Sequence, residues 1–179
     1  TDERVMVPRF LVNDLIRYWR TVAVDFEAKR WRSPKTGWGL RYAKLLSTRK
    51  IMFAGSLSSY LAVGSYLDKK GLESVEDRYA GLTEYLRKES DKPPVARLAS
   101  LFESLSEDTG RPALVRCLTS YDRIIEILNQ PRKREALKSE SSPEMVDIIK
   151  QSSELNGSLE EVFFGDPFMQ PLTRGYSLF

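Results

Sequence analysis

The chain contains no histidine. That absence excludes Ser-His-Asp and Cys-His catalysis and every histidine-ligated metal site. Cysteine is almost as scarce. Cys117 stands alone, so no internal disulfide can form, and a reducing compartment, the cytoplasm, is expected. Cys117 lies in the helical pattern LVRCLTSYDRI and reads as a small buried thiol. No apolar run approaches the ~18 residues of a membrane-spanning helix, so no membrane partner is expected. No signal peptide is visible. Strand-type alternation never persists long enough for a sheet, and no repeat or low-complexity block appears. Phosphate-loop signatures are missing as well. The two Gly-Ser pairs of FAGSLSSYLAVGSYLDKK lie mid-helix and read as small packing residues, and the GDP of 165–167 reads as a turn.

What is present fits one helical domain spanning 1–179. The chain has 179 residues, 41% hydrophobic and 30% charged, enough to build a core. Its net charge of +3 hides an asymmetry. Residues 1–60 hold 12 Lys/Arg against 5 Asp/Glu, whereas residues 61–179 hold 16 against 20. All three tryptophans (Trp19, Trp31, Trp38) share the basic end. A local basic surface of this kind suggests an anionic partner, nucleotide or nucleic acid; a solvated face without a partner is the plain alternative.

The apolar spacing is helical almost throughout. Val12, Leu15, Ile16, Trp19, Val22, Ala23 and Phe26 recur at i, i+3/i+4, so a first helix is predicted over about 9–31. RSPKTGW is a loop, and a second long helix follows over about 39–67, with Gly55 and Gly64 marking a kink or close packing. Ser74 with Asp77 starts a helix ending near Ser90. KPPVARLASLFESLSED opens on proline and is predicted to run helically until Gly110 closes it, with Pro112 opening another helix through Asn129. SSPEMVDIIKQSSELNG is predicted as a serine-capped helix ended by Gly157. The tail PFMQPLTRGYSLF is too apolar to float freely and is expected to pack back on the body or on another domain. The fold class is therefore all-α, a bundle of six to eight helices. Its two long N-terminal helices are expected to pack antiparallel through Trp19, Phe26, Leu46 and Phe53.

Charged residues fall on defined faces of these two helices. Asn13, Arg17 and Arg20 cluster within about 60°, flanked by Asp14, Thr21 and Asp25, and Asp25 reaches Lys29 at i+4. On the second helix Arg41, Lys44, Thr48, Gly55 and Ser59 share one side. Arg49 projects between Leu45 and Phe53, and Lys50 falls near Leu46, Ala43 and Leu57, on the arc expected to be buried. A cation there needs a partner. Asp14, Asp25 or an anionic ligand supplies it, or the long stems snorkel to the rim.

FLVNDLIRYWRTVAVDFEAK and GWGLRYAKLLSTRKIMFAGSL, with the closing FMQPLTRGYSLF, resemble the C-terminal helical region of a family of bacterial nucleotidyltransferase-domain proteins of the polymerase-β-like superfamily. That family's pattern runs approximately N-D-I/L-I-R-Y-W/Y-R-T, V-D-F/Y-x-x-K, a tryptophan-bearing loop and K-L-x-x-S/T-R-K. The likeness is closest over 10–57, looser in the tail and loosest in the middle.

The resemblance implies a division of labour. A catalytic domain upstream would carry the Gly-Ser loop and carboxylates and use Mg2+ and a nucleoside triphosphate. This chain would pack against it as an accessory domain. Arg17, Arg20, Arg41, Lys44, Arg49 and Lys50 would hold triphosphate or nucleic-acid backbone, with Asp14, Asp25 and Lys29 orienting them. No catalytic residue is recognisable in the chain itself. Two other readings compete: a stand-alone helical nucleic-acid-binding module, and a protein–protein adaptor of the antitoxin or defence-subunit type.

Overall fold

The structure is a computed structural model that describes residues 7–32 and 37–176. Its helices are α1 (Arg9–Arg32), α2 (Trp38–Lys44), α3 (Lys50–Lys69), α4 (Val75–Ser90), α5 (Pro94–Ala99), α6 (Gly110–Asn129), α7 (Pro131–Ala136), α8 (Pro143–Glu160) and α9 (Met169–Tyr176). A π-turn over Leu45–Arg49 joins α2 and α3 into one continuous rod. Counted that way, eight helices and no strand are present among the described residues. None is long and apolar enough to cross a membrane.

The N-terminal rods are antiparallel. Phe26 meets Trp38 edge-on at 5.5 Å and stacks on Tyr42 at 5.8 Å, while Trp19, nearer the start of α1, meets Phe53 at 5.4 Å. Such aromatic pairs add about 0.5–1.5 kcal/mol each beyond their buried area. Trp19, Phe26 and Phe53 are thus at the contact, as the spacing predicts. Leu45, not Leu46, completes the small core around Phe26 and Trp38.

The π-turn is the reason for that change. It takes an extra residue into one turn, so α3 is rotated by roughly one residue position, about 100°, from where an unbroken α-helix would place it. The shared side expected for Arg41, Lys44, Gly55 and Ser59 is split: Arg41 and Lys44 are exposed, Gly55 and Ser59 buried.

Local signals set most boundaries. Ser74 Oγ accepts from the Asp77 N–H at 3.0 Å, and Ser142 Oγ from the Met145 N–H at 3.1 Å, each satisfying a free donor of a first helical turn. Gly71, at φ 65°, takes the left-handed conformation that ends α3, with the Leu72 N–H returning to Leu67 O at 3.4 Å.

Two glycines depart from prediction. Gly110 opens α6 rather than closing the preceding helix, which stops at Ala99 and gives way to a 3-10 turn at Phe102–Ser104. The Ser106 N–H that a continuing helix would use donates instead to Asp166. Gly157 does not end α8. Leu155, Leu159, Val162 and Phe163 keep burying the same side through a π-turn at Glu161–Gly165, which outweighs the ~1 kcal/mol cost of an internal glycine.

The core lies where α6 and α8 pair most extensively, with Leu114, Cys117, Ile124, Ile148 and Leu155 fully buried. Each such aliphatic side chain contributes about 1.5–3 kcal/mol. Cys117 is the buried thiol the sequence predicts, and burial pushes its pKa up to about 12. The tail folds back as α9, burying Met169 and Thr173, and the Arg9 guanidinium lies 5.1 Å over the Tyr176 ring. The last three residues of the tail and 33–36 of the first loop lie outside the described residues.

Candidate functional site

The six cations expected to form one basic face separate into three places. Arg17 stays on the outer side of α1, paired with Asp14 at 3.5 Å, both well exposed. Arg20 and Lys50 line an apolar pocket between α1, α3, the end of α8 and α9. Arg41, Lys44 and Arg49 come together with Asp25 and Lys29 around a surface depression whose walls include Phe26 and Trp38.

That depression is built by the antiparallel register. Phe26 of α1 and Trp38 at the start of α2 meet edge-on, which fixes where the cations of the second rod stand relative to Asp25 and Lys29. The Arg41 guanidinium lies 4.8 Å over the Trp38 ring. Lys29 is held by Asp25 at 2.7 Å. Arg41, Lys44 and Arg49 have no carboxylate partner among the described residues, and four cations face one carboxylate there.

Two expectations about Arg49 are therefore corrected. It is exposed rather than buried between Leu45 and Phe53: it closes the π-turn and stands at the rim of the α1 contact, beside Trp19 and Phe53 on one side and Phe26 and Trp38 on the other, as the snorkelling alternative expects. Asp25 does not pair with it; Asp25 is engaged by Lys29 one turn along its own helix. Asp14 likewise serves only Arg17.

Lys50, expected on the buried arc near Leu46, Ala43 and Leu57, is half-buried and lines a pocket with Leu57. Its Nζ donates to Asn156 Oδ1 at 2.7 Å, and Asn156 Nδ2 donates in turn to Glu160 Oε1 at 2.6 Å. Burial lowers the pKa of the Lys50 ammonium, and the Glu160 charge offsets part of that. Trp19, Phe53, Leu57, Leu159 and Phe163 form the apolar walls beside it. Asn156, Glu160 and Thr173, more than 100 residues from Lys50 in the chain, escaped the sequence reading. For Glu160 the one signal was the apolar spacing of SLEEVFFGD, which marks a buried face but not its neighbour.

Asp166 also escaped it. The turn expected at GDP is a buried clamp. Asp166 Oδ2 accepts from the Ser106 N–H at 2.9 Å and hydroxyl at 2.7 Å, and Oδ1 from the Phe168 and Met169 N–H groups at the start of α9. Among the described residues no group of three or more Cys, Asp or Glu side chains stands close enough to hold a metal ion. Comparison with protein-family models, curated proteins and solved structures finds no match for the chain.

Proposed function

We propose that this chain is the accessory helical domain of a nucleotidyltransferase and that its basic depression holds the phosphates of a nucleoside triphosphate. The observation that carries the reading is the gathering of Arg41, Lys44 and Arg49, without carboxylate partners, beside Phe26 and Trp38. Like charges repel when brought together, and an anionic ligand relieves the repulsion. Guanidinium forks match phosphate oxygens bidentately, and a lysine adds a compact charge. The Trp38 ring under Arg41 restrains that side chain before ligand arrives, which lowers the ordering cost of binding. The motif resemblance over 10–57 supports the same reading. In it, Mg2+ and the catalytic carboxylates belong to the partner domain, and this chain performs no catalytic step.

The outer side of α1 supports a docked arrangement. Phe10, Val24 and Trp31 are 87%, 68% and 84% exposed and recur at multiples of seven residues, with Arg17 and Arg20 alongside. Exposed side chains of this size on one side of a helix offer a contact for another domain. The same stripe favours a second reading, a protein–protein adaptor that needs no nucleotide.

Titration of the chain with a fluorescent nucleoside triphosphate, with and without Mg2+, separates the two. Saturable binding is expected, weakened by salt and lowered roughly tenfold when Arg41, Lys44 and Arg49 are all changed to Gln. Unsaturable binding at low salt, or full binding by the triple variant, would defeat the phosphate reading and leave the adaptor.

A further inference from the structure

We propose that the apolar pocket between α1, α3, α8 and α9 is a separate site for a small aromatic or branched aliphatic carboxylate, with Lys50 as the group that receives the acid. The pocket holds about 290 Å³, near the lower end of the roughly 300–1,000 Å³ usual for small-molecule sites. Trp19, Phe53, Leu57, Leu159 and Phe163 give it a mainly apolar wall. A compact ring or branched chain buries well there.

The polar side of the pocket is short of acceptors. The Lys50 ammonium has three N–H donors, and one is satisfied, by Asn156 Oδ1. Glu160 is the nearest source of negative charge, yet it is joined to Lys50 only through Asn156 and makes no direct ion pair with it. Thr173, 1% exposed, lines the same pocket, and its hydroxyl has no hydrogen-bond partner. Arg20 stands at the rim as a second cation. The Thr173 hydroxyl is the buried donor without an acceptor here, a cost that a ligand carboxylate recovers, and the same carboxylate would replace water on the two other Lys50 donors.

Charge disfavours a polyphosphate here. The Glu160 carboxylate at the rim opposes a multiply charged anion, and the apolar walls offer no further cations. One negative charge on a compact apolar body is what the lining can satisfy. Arg41, Lys44 and Arg49 line a different depression, so this inference does not depend on the phosphate reading.

The test uses phenylacetate and indole-3-acetate as probes, with their neutral amides as matched controls. Binding is followed by NMR shifts of Ala54, Leu57 and Thr173, all in the pocket lining. The acids are expected to bind at least roughly tenfold more tightly than the amides. Lys50→Met should abolish that preference, and Arg41→Gln with Arg49→Gln should leave it intact. The acid–amide comparison on the unaltered chain needs no variant, so a misfolded Lys50→Met would not rescue the idea. Equal binding of acid and amide, an acid preference surviving Lys50→Met, shifts confined to other residues, or no saturable response to either acid up to about 10 mM would each overturn it.

Discussion

A Cβ on Gly110 would stand 2.2 Å from Oδ2 of Asp166. The first residue of α6 is therefore pressed against the carboxylate that ties Ser106 to the start of α9. Asp166 is held in place by its hydrogen bonds and cannot yield cheaply. Gly110→Ala should destabilise the chain by about 1–3 kcal/mol, read as a lower midpoint in urea unfolding. An unchanged midpoint would mean the clamp is not tight.

The same carboxylate predicts how stability varies with pH. Burial by itself raises the pKa of Asp166, but hydrogen bonds from the Ser106 hydroxyl and N–H and from the Met169 and Phe168 N–H groups outweigh it and hold the pKa below the ordinary 3.8. The folded chain thus binds this proton less readily than the unfolded chain. Its stabilisation is fully present above the unfolded value and is lost as pH falls through the folded one. Asp166→Asn should cost on the order of 1.5–3 kcal/mol at neutral pH, and its deficit should shrink as pH approaches about 2. A deficit that stays constant across that range would contradict the assignment.

Gly55 and Gly157 both lie inside helices and should respond in opposite directions to alanine. A Cβ at Gly55 would stand 2.3 Å from the carbonyl oxygen of Pro94, a backbone atom at the crossing of α3 and α5. At Gly157 it would meet nothing within 4 Å. Gly55→Ala should lower the thermal midpoint by an overpacking cost of about 1–3 kcal/mol. Gly157→Ala should raise it by about 0.5–1 kcal/mol, through helix propensity and a less free unfolded chain. Equal effects at the two sites would remove the argument from close approach.

Arg49 provides a check on the π-turn. Exposed and without a carboxylate partner among the described residues, it should tolerate Arg49→Met with a stability change within about 0.5 kcal/mol. Asp25→Ala should forfeit only the surface pair with Lys29, about 0.3–0.5 kcal/mol. Losses above ~1.5 kcal/mol in both single variants, measured by chemical denaturation, would instead indicate a buried Arg49–Asp25 pair.

Most long helices, the serine caps at Ser74 and Ser142, and the meeting of Trp19, Phe26 and Phe53 were legible in the sequence, whereas α7, α9 and the early stop at Ala99 were not. Each legible feature depends on residues a few positions apart, or on a short loop that forces neighbouring rods to pack antiparallel. Tertiary packing alone decided the rest. Nothing local in LLSTR announces that Leu45–Arg49 forms a π-turn, yet that one extra residue moves Arg49 to the surface and separates Arg41 and Lys44 from Gly55. The partners of Lys50 and Ser106 come from α8 and from Asp166, far along the chain, and Gly157 stays helical because the apolar face around it continues to bury. Periodicity specifies which side of a helix is apolar. It carries no record of which distant helix covers that side, and here that choice brought Lys50 and Thr173 to one pocket and Arg41 and Arg49 to another depression.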